Sequence, residues 1–167
     1  ISYPYGEIDS GYSCGWHTGV DIVPYGTTGN NPLLYPVFEG QVVFTSNNPN
    51  QALGCQVQIL DNFGRYWRYC HLVENSIQVQ VGQQVGLNTP LGNMGDTGNV
   101  TGRHLHLECS TTQNWNCSTF INHVAIYGIP NEDNLIIKYE QIIPPGFKVK
   151  KTKFPWVLYA RKLRARK

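Results

Sequence analysis

Gly102-Arg103-His104-Leu105-His106-Leu107-Glu108 is the stretch with the most chemistry in it. Read as a strand, it sends His104, His106 and Glu108 to one face and Leu105, Leu107 and Cys109 to the other. Two imidazoles two residues apart then stand about 7 Å from each other along the backbone. That spacing suits one ring on a metal ion and its neighbour on whatever the metal binds. The intervening leucines press the strand into a core.

A second pair of donors is His17-Thr18-Gly19-Val20-Asp21, with nitrogen and carboxylate oxygen four residues apart. Both atoms are good zinc donors. Gly19 and the nearby Pro24 disfavour a helix, so a strand with a turn or bulge is expected here. A third candidate, His71, ends the run Arg65-Tyr66-Trp67-Arg68-Tyr69-Cys70-His71, where alternation gives it the face of Tyr69 and Trp67. His123 has no motif around it and reads as structural.

The elements that must position these residues are mostly strands. The chain has 167 residues, 41% of them hydrophobic, 12% aromatic and only 14% charged, with 17 Gly and 10 Pro. That composition favours strands joined by many turns, in about one domain. Residues 36–44 read as a strand, a glycine bend at Gly40 and a second strand. Cys55–Leu60 and Arg65–His71 read as a hairpin around Asp61-Asn62-Phe63-Gly64. If Leu60 faces Arg65, Cys55 falls opposite Cys70, as a cross-strand disulfide or as two buried thiols. Short extended pieces broken by glycine fill 77–95, and a turn-rich loop, 96–102, leads into the histidine strand. Those glycines are not a phosphate-binding loop, because no Lys-Ser/Thr follows them and a strand comes next.

The five cysteines include no CxxC pair, which argues against a zinc-thiolate knuckle. Cys109 and Cys117 bracket a polar loop that a disulfide could close in an oxidising compartment. Val124–Tyr127 and Leu135–Ile137 read as peripheral apolar runs.

Charge is split along the chain. Nine of the 13 Lys and Arg lie from Lys148 onward with no acid among them, leaving four against all 11 Asp and Glu in residues 1–147. The expected organisation is therefore a domain over 1–143 and, over 144–167, a Pro-Pro-Gly linker with a basic arm. Within the arm, Pro155 is placed to start a short helix with Trp156, Tyr159, Ala160 and Leu163 on one face. Such an arm suits docking to a partner protein or to an anionic wall polymer or lipid surface. An acidic body argues against nucleic acid as the main ligand. No run approaches the roughly 18 apolar residues of a transmembrane segment. The start at Ile1 fits a processed product or an excised domain.

Together, His17-x3-Asp21, the Tyr-Cys-His71-Leu strand end and Gly-Arg-His104-Leu-His106-Leu-Glu resemble the lysostaphin/LytM-type zinc endopeptidases. Glu39-Gly40-Gln41-Val42-Val43, Val81-Gly82-Gln83-Gln84-Val85 and Leu91–Gly98 resemble that family's glycine framework, over roughly residues 5–110. The resemblance implies a mainly β fold, an antiparallel β-sheet groove of the duplicated hybrid motif type with short peripheral helices or loops. It implies one zinc ion held by His17, Asp21 and His106, with His71 and His104 as catalytic histidines. It implies hydrolysis of stem or cross-bridge peptides of cell-wall peptidoglycan, outside the cell or at the wall, as an autolysin, a bacteriocin, a phage lysin or a virion tail module, with the phage settings favoured. Arg103 departs from the proline common at its position and adds a positive charge to the cleft rim. A catalytically inactive wall-binding or regulatory module of this fold would lack one of the five positions, and all five are present. Independently of the family, three protein ligands leave a coordination position open for water, and the helix-borne HExxH glutamate base of other zinc proteases is absent.

Overall fold

Alternating apolar side chains on neighbouring strands set the register of this chain. The computed structural model describes residues 2–24 and 31–123, which form eight strands. These are β1 Gly19–Ile22, β2 Leu33–Leu34, β3 Gly40–Ser46, β4 Cys55–Asp61, β5 Tyr66–Leu72, β6 Gln84–Val85, β7 Gly92–Asn93 and β8 Leu105–Ser110. Six make one sheet in the order β1-β8-β5-β4-β3-β6, and β2 pairs with β7. Every pairing is antiparallel. Among the described residues there is no helix element, so the expected peripheral pieces there are loops. None of the described residues form a helix long and apolar enough to cross a membrane.

The pairing register sorts side chains into rows across the strands. Val20, Leu107, Tyr69 and Val57 are successive partners, as are Cys109, Trp67 and Ile59. All seven are buried core residues, joined by Val42, Leu72, Leu91, Val85 and Leu105. Each large side chain buried this way contributes roughly 1.5–3 kcal/mol. One residue out of step, Asp21, His106 and Cys70 form a row on the opposite face, followed by Gly19, Glu108, Arg68 and Gln58. The core thus holds the sheet from one side and leaves the polar rows for chemistry.

Two expected elements are corrected. Residues 36–39 are not strand, and the run begins only at Gly40. A Cβ on Gly40 would lie 2.2 Å from the Leu60 carbonyl oxygen, so this glycine marks close approach of β3 to β4. The β4–β5 hairpin turns one residue later than expected, with Leu60 opposite Tyr66. Its Asp61 carboxylate accepts the amides of Phe63 and Arg65, the Arg65 guanidinium and the Trp67 indole N–H, and Gly64 takes a positive φ. A glycine in that conformation closes a three-residue hairpin loop. With the register moved and an irregularity between Cys55 and Val57, Cys55 faces Leu72 and not Cys70.

The cysteine pairing differs accordingly. Cys14 and Cys117 form a disulfide, whereas Cys55, Cys70 and Cys109 are buried free thiols. The loop from Cys109 to Cys117 is closed by backbone bonds instead, from Thr111 N to the Thr119 carbonyl and from Ile121 N to the Cys109 carbonyl, both 2.9 Å. The runs Val124–Tyr127 and Leu135–Ile137, the boundary at 143/144, the linker and the basic arm lie outside the described residues.

His123 is fully buried, edge-on to Tyr5 and Trp67, with Nδ1 3.2 Å from the Ile121 carbonyl and no hydrogen-bond partner for Nε2 among the described residues. Burial pushes its pKa down to about 4, against the Ile121 hydrogen bond. The unfolded chain takes up this proton near pH 6.5 and the folded chain does so only near 4, so stability falls as pH drops through that window. The loss at this residue reaches about 3 kcal/mol. His123→Phe is expected to flatten the melting-temperature profile between pH 6.5 and 5. A variant profile parallel to wild type would refute this.

Candidate functional site

The polar row of the β1–β8 pair gathers three donor atoms. Asp21 lies opposite His106, and His17, two residues before β1, keeps the same face as Asp21. His106 Nδ1 is 2.7 Å from Asp21 Oδ1 and 3.0 Å from His17 Nε2, and His17 Nε2 is 3.2 Å from Asp21 Oδ1. His17, Asp21 and His106 are a group that could hold a metal ion. Gly19 makes the gathering feasible: a Cβ there would lie 2.6 Å from His106 Cε1 and 2.7 Å from the Leu107 carbonyl oxygen. Gly19→Ala is expected to displace the His106 ring and weaken metal binding at least tenfold, by metal titration. Unchanged affinity would show that the ring does not need this space.

The donors are oriented by what lies behind them. His17 Nδ1 is 2.9 Å from the Pro4 carbonyl, which accepts a hydrogen bond from Nδ1–H and turns the Nε2 lone pair to the site. His106 Nε2 faces Glu108 Oε1 at 3.1 Å, leaving Nδ1 for the site. Glu108 is itself held by the Thr18 hydroxyl at 2.5 Å and by the Arg68 guanidinium on its other oxygen. A carbonyl or carboxylate behind each ligating imidazole is the usual support of a metal site.

Electrostatics agree. Burial alone would raise the Asp21 carboxyl, but hydrogen bonds to His106 and His17 hold it well below the carboxylate range. Burial likewise opposes charge on His106, yet Glu108 and Asp21 push its pKa up to about 9. Against its own burial, Glu108 is held down at about 2 by His106, Arg68 and Thr18. The row favours a cation between Asp21 and His106, a proton or a metal ion, and the donor set of two nitrogens and one carboxylate oxygen fits a single zinc-sized ion.

His71 and His104 stand beside this group. Their rings are 4.8 Å apart, and the His71 ring is 5.9 Å from that of His106. His71 is not on the face of Tyr69 and Trp67 as strict alternation requires. Its φ of 63° breaks the strand pattern and turns the ring to the Asp21–His106 face. This left-handed conformation is unfavourable for a residue with a Cβ and needs support. Support comes from the loop Gly95–Gly98. His71 Nδ1 is 2.8 Å from the Thr97 carbonyl, and the Thr97 hydroxyl donates to the Leu72 carbonyl at 2.7 Å and accepts from Cys55 N at 2.9 Å. Gly95 lets the loop lie against residues 71–73, where a Cβ would meet Val73 N at 2.5 Å. Burial, opposed by the Thr97 bond, lowers the His71 pKa to about 4.

His104 is held by Gly102, whose carbonyl is 2.9 Å from Nδ1, and its Nε2 lies 3.7 Å from Asp21 Oδ2. Both rings therefore spend Nδ1 on a backbone carbonyl and present Nε2. All five expected positions meet in one place. Sequence reasoning missed Thr97, Thr18, Arg68 and the Pro4 carbonyl. Of these only Arg68 carried a signal, since it follows from pairing Arg68 with Glu108 once the register is known.

With this geometry in hand, comparison with known proteins is decisive about ancestry. Residues 15–117, more than half of the chain, match the model of peptidase family M23. The chain belongs to peptidase family M23. Peptidoglycan DD-endopeptidase ShyA of Vibrio cholerae serotype O1 is 39% identical to this M23 chain over 93 residues, which are 55% of the chain and 20% of ShyA. The chain therefore spans about a fifth of the length of that curated relative. Among solved structures, the catalytic domain of the antimicrobial peptidase lysostaphin from Staphylococcus simulans superposes with a TM-score of 0.63 at 26% identity, over 75% of this chain and 89% of that one. The catalytic domain of the prophage-encoded M23 protein EnpA from Enterococcus faecalis shares the fold, with a TM-score of 0.57 at 23% identity over 72% of this chain and 85% of that one. The M23 chain has the mainly antiparallel β fold of the lysostaphin/LytM type.

Proposed function

We propose that this M23 chain is a zinc endopeptidase that hydrolyses peptide bonds of bacterial cell-wall peptidoglycan. The observation that carries the reading is the meeting of two groups. Three donor atoms of His17, Asp21 and His106 lie within 3.2 Å of one another, and the Nε2-presenting rings of His71 and His104 stand beside them. Zinc bound by those donors supplies a Lewis acid and a lowered pKa for water. The chain's own work is done by the two flanking histidines. With Nδ1 of each tied to a carbonyl, one of the two Nε2 atoms accepts the proton of the attacking water and returns it to the leaving amine. The other ring stabilises the oxyanion as it develops. Burial disfavours the charged form of His71 and lowers its pKa to about 4, so that ring is neutral at pH 7.

Peptidoglycan as substrate is supported by the likeness to a peptidoglycan DD-endopeptidase and to an antimicrobial peptidase. Action outside the cytoplasm is supported by the Cys14–Cys117 disulfide, a bond that persists in oxidising surroundings. The test is zinc content together with clearing of a peptidoglycan suspension. One zinc per chain is expected, with clearing abolished by a chelator and restored by zinc. Zinc without clearing, on walls of several cross-link types, would replace the enzyme with an inactive wall-binding module. A chain that takes up no zinc would overturn the reading at the metal site.

A further inference from the structure

His17 lies before the hydrogen-bonded span of β1, and β1 is an edge strand of the sheet. Its place is fixed by the segment 2–16, which folds back along it. Gly6 N donates to the His17 carbonyl at 2.8 Å and His17 N donates to the Glu7 carbonyl at 2.7 Å. The Pro4 carbonyl accepts a hydrogen bond from the imidazole Nδ1–H, and the Tyr12 ring stacks on the imidazole at 5.0 Å. The apolar anchors of this segment are Tyr5, against the core, and Trp16, edge-on to Phe120, whereas residues 8–11 and 13 next to Cys14 are exposed, Ile8 by 87%. A stretch with few apolar contacts opens easily by local fluctuation.

Loop 111–119 follows the end of β8. Its Trp115 ring carries the Arg68 guanidinium at 4.2 Å and donates its indole N–H to Gln58. Arg68 holds Glu108, and Glu108 faces His106. The disulfide joins Cys14 of the first segment to Cys117 of this loop, 103 residues away in sequence. It therefore ties the support of His17 to the support of His106.

We infer that the Cys14–Cys117 disulfide is a positioning element of the metal site, whose cation affinity is high when the bond is formed and low when it is reduced. The inference rests on reading His17, Asp21 and His106 as metal ligands. The exchange is confined to one place. Cys117 is exposed and Cys14 half-buried, whereas Cys55, Cys70 and Cys109 are fully buried. Two small-molecule thiols break the S–S bond, supplying two electrons and two protons to give Cys14 and Cys117 thiols, and leave as their own disulfide. Oxidised glutathione, reduced in turn to two thiols, reverses the step. In a reducing compartment the site stays loose, and it tightens on transfer to an oxidising one.

The experiment uses the full chain in three forms: oxidised, reduced, and the Cys14→Ser/Cys117→Ser double variant. Native thiol titration of the oxidised chain is expected to find no reactive thiol, and three after denaturation. Zinc affinity, from competition with a chromophoric chelator, is expected to fall about ten- to a hundredfold on reduction and in the double variant. The visible absorption of the cobalt-substituted chain should weaken in parallel, while far-ultraviolet dichroism of the strands is unchanged. Reoxidation should restore affinity in wild type and not in the double variant. Equal zinc affinity in oxidised and reduced chains would overturn the inference, as would five thiols on denaturing the oxidised chain. Loss of the strand signal together with affinity, in both the reduced chain and the variant, would also overturn it by assigning the bond to global stability. An oxidised chain that carries the disulfide yet binds no zinc would instead refute the metal-site reading.

Discussion

His104→Ala is expected to leave one zinc bound per chain and to slow peptidoglycan clearing by about a hundred- to ten-thousandfold, the range of a lost general acid or base. The reason is position. His104 precedes β8 and stands at the edge of the donor group, with Nε2 3.7 Å from Asp21 Oδ2. Among the described residues its Nδ1 bonds to the nearby Gly102 carbonyl, and removing the ring breaks none of the contacts that join His17, Asp21 and His106. The core rows through Leu105 and Leu107 are on the other face and keep their packing. Zinc content and clearing rate measured on the same preparation decide the matter. A variant that clears at the wild-type rate would remove His104 from the chemistry. One that loses its zinc would make the residue part of the metal support instead.

The site was legible because its residues sit where alternation and spacing can be read. His104, His106 and Glu108 share a strand face by simple parity, and β8 shows that face next to Asp21. The pairing of β1 with β8 was not legible. Nothing local in His17–Ile22 says that its partner lies more than 80 residues away, and only the family resemblance joined the two motifs. His71 shows where parity fails. Its left-handed φ depends on a distant loop, Gly95–Gly98, closing over it, and a strand pattern carries no trace of that contact. The hairpin register failed for a smaller reason, since a glycine at positive φ closed a loop of three residues where four were expected and moved every facing pair. The disulfide failed for the same reason as the strand pairing. Cys14 and Cys117 meet only because β1 and β8 are neighbours, so short spacings among the other cysteines pointed elsewhere.

His106→Ala is the change expected to remove both metal and activity. His106 reaches Asp21 and His17 through Nδ1 and Glu108 through Nε2. Without the ring, the two remaining donors are a histidine and a carboxylate at one edge of the sheet, too few to hold zinc against a chelator. Clearing should fall to the level of the buffer control, and excess zinc should not rescue it. A second readout needs no activity at all. A ligand that binds only the folded chain stabilises it in proportion to the logarithm of its concentration over Kd, about 4 kcal/mol at a thousandfold excess. Zinc should therefore raise the melting temperature of wild type and of His104→Ala by several degrees, and leave that of His106→Ala where it was. The metal-free His106→Ala chain should itself melt below metal-free wild type, because Asp21 and Glu108 lose the cation that balances them while Arg68 still holds Glu108. A zinc-dependent rise in His106→Ala equal to that of wild type would mean that the ion is held elsewhere.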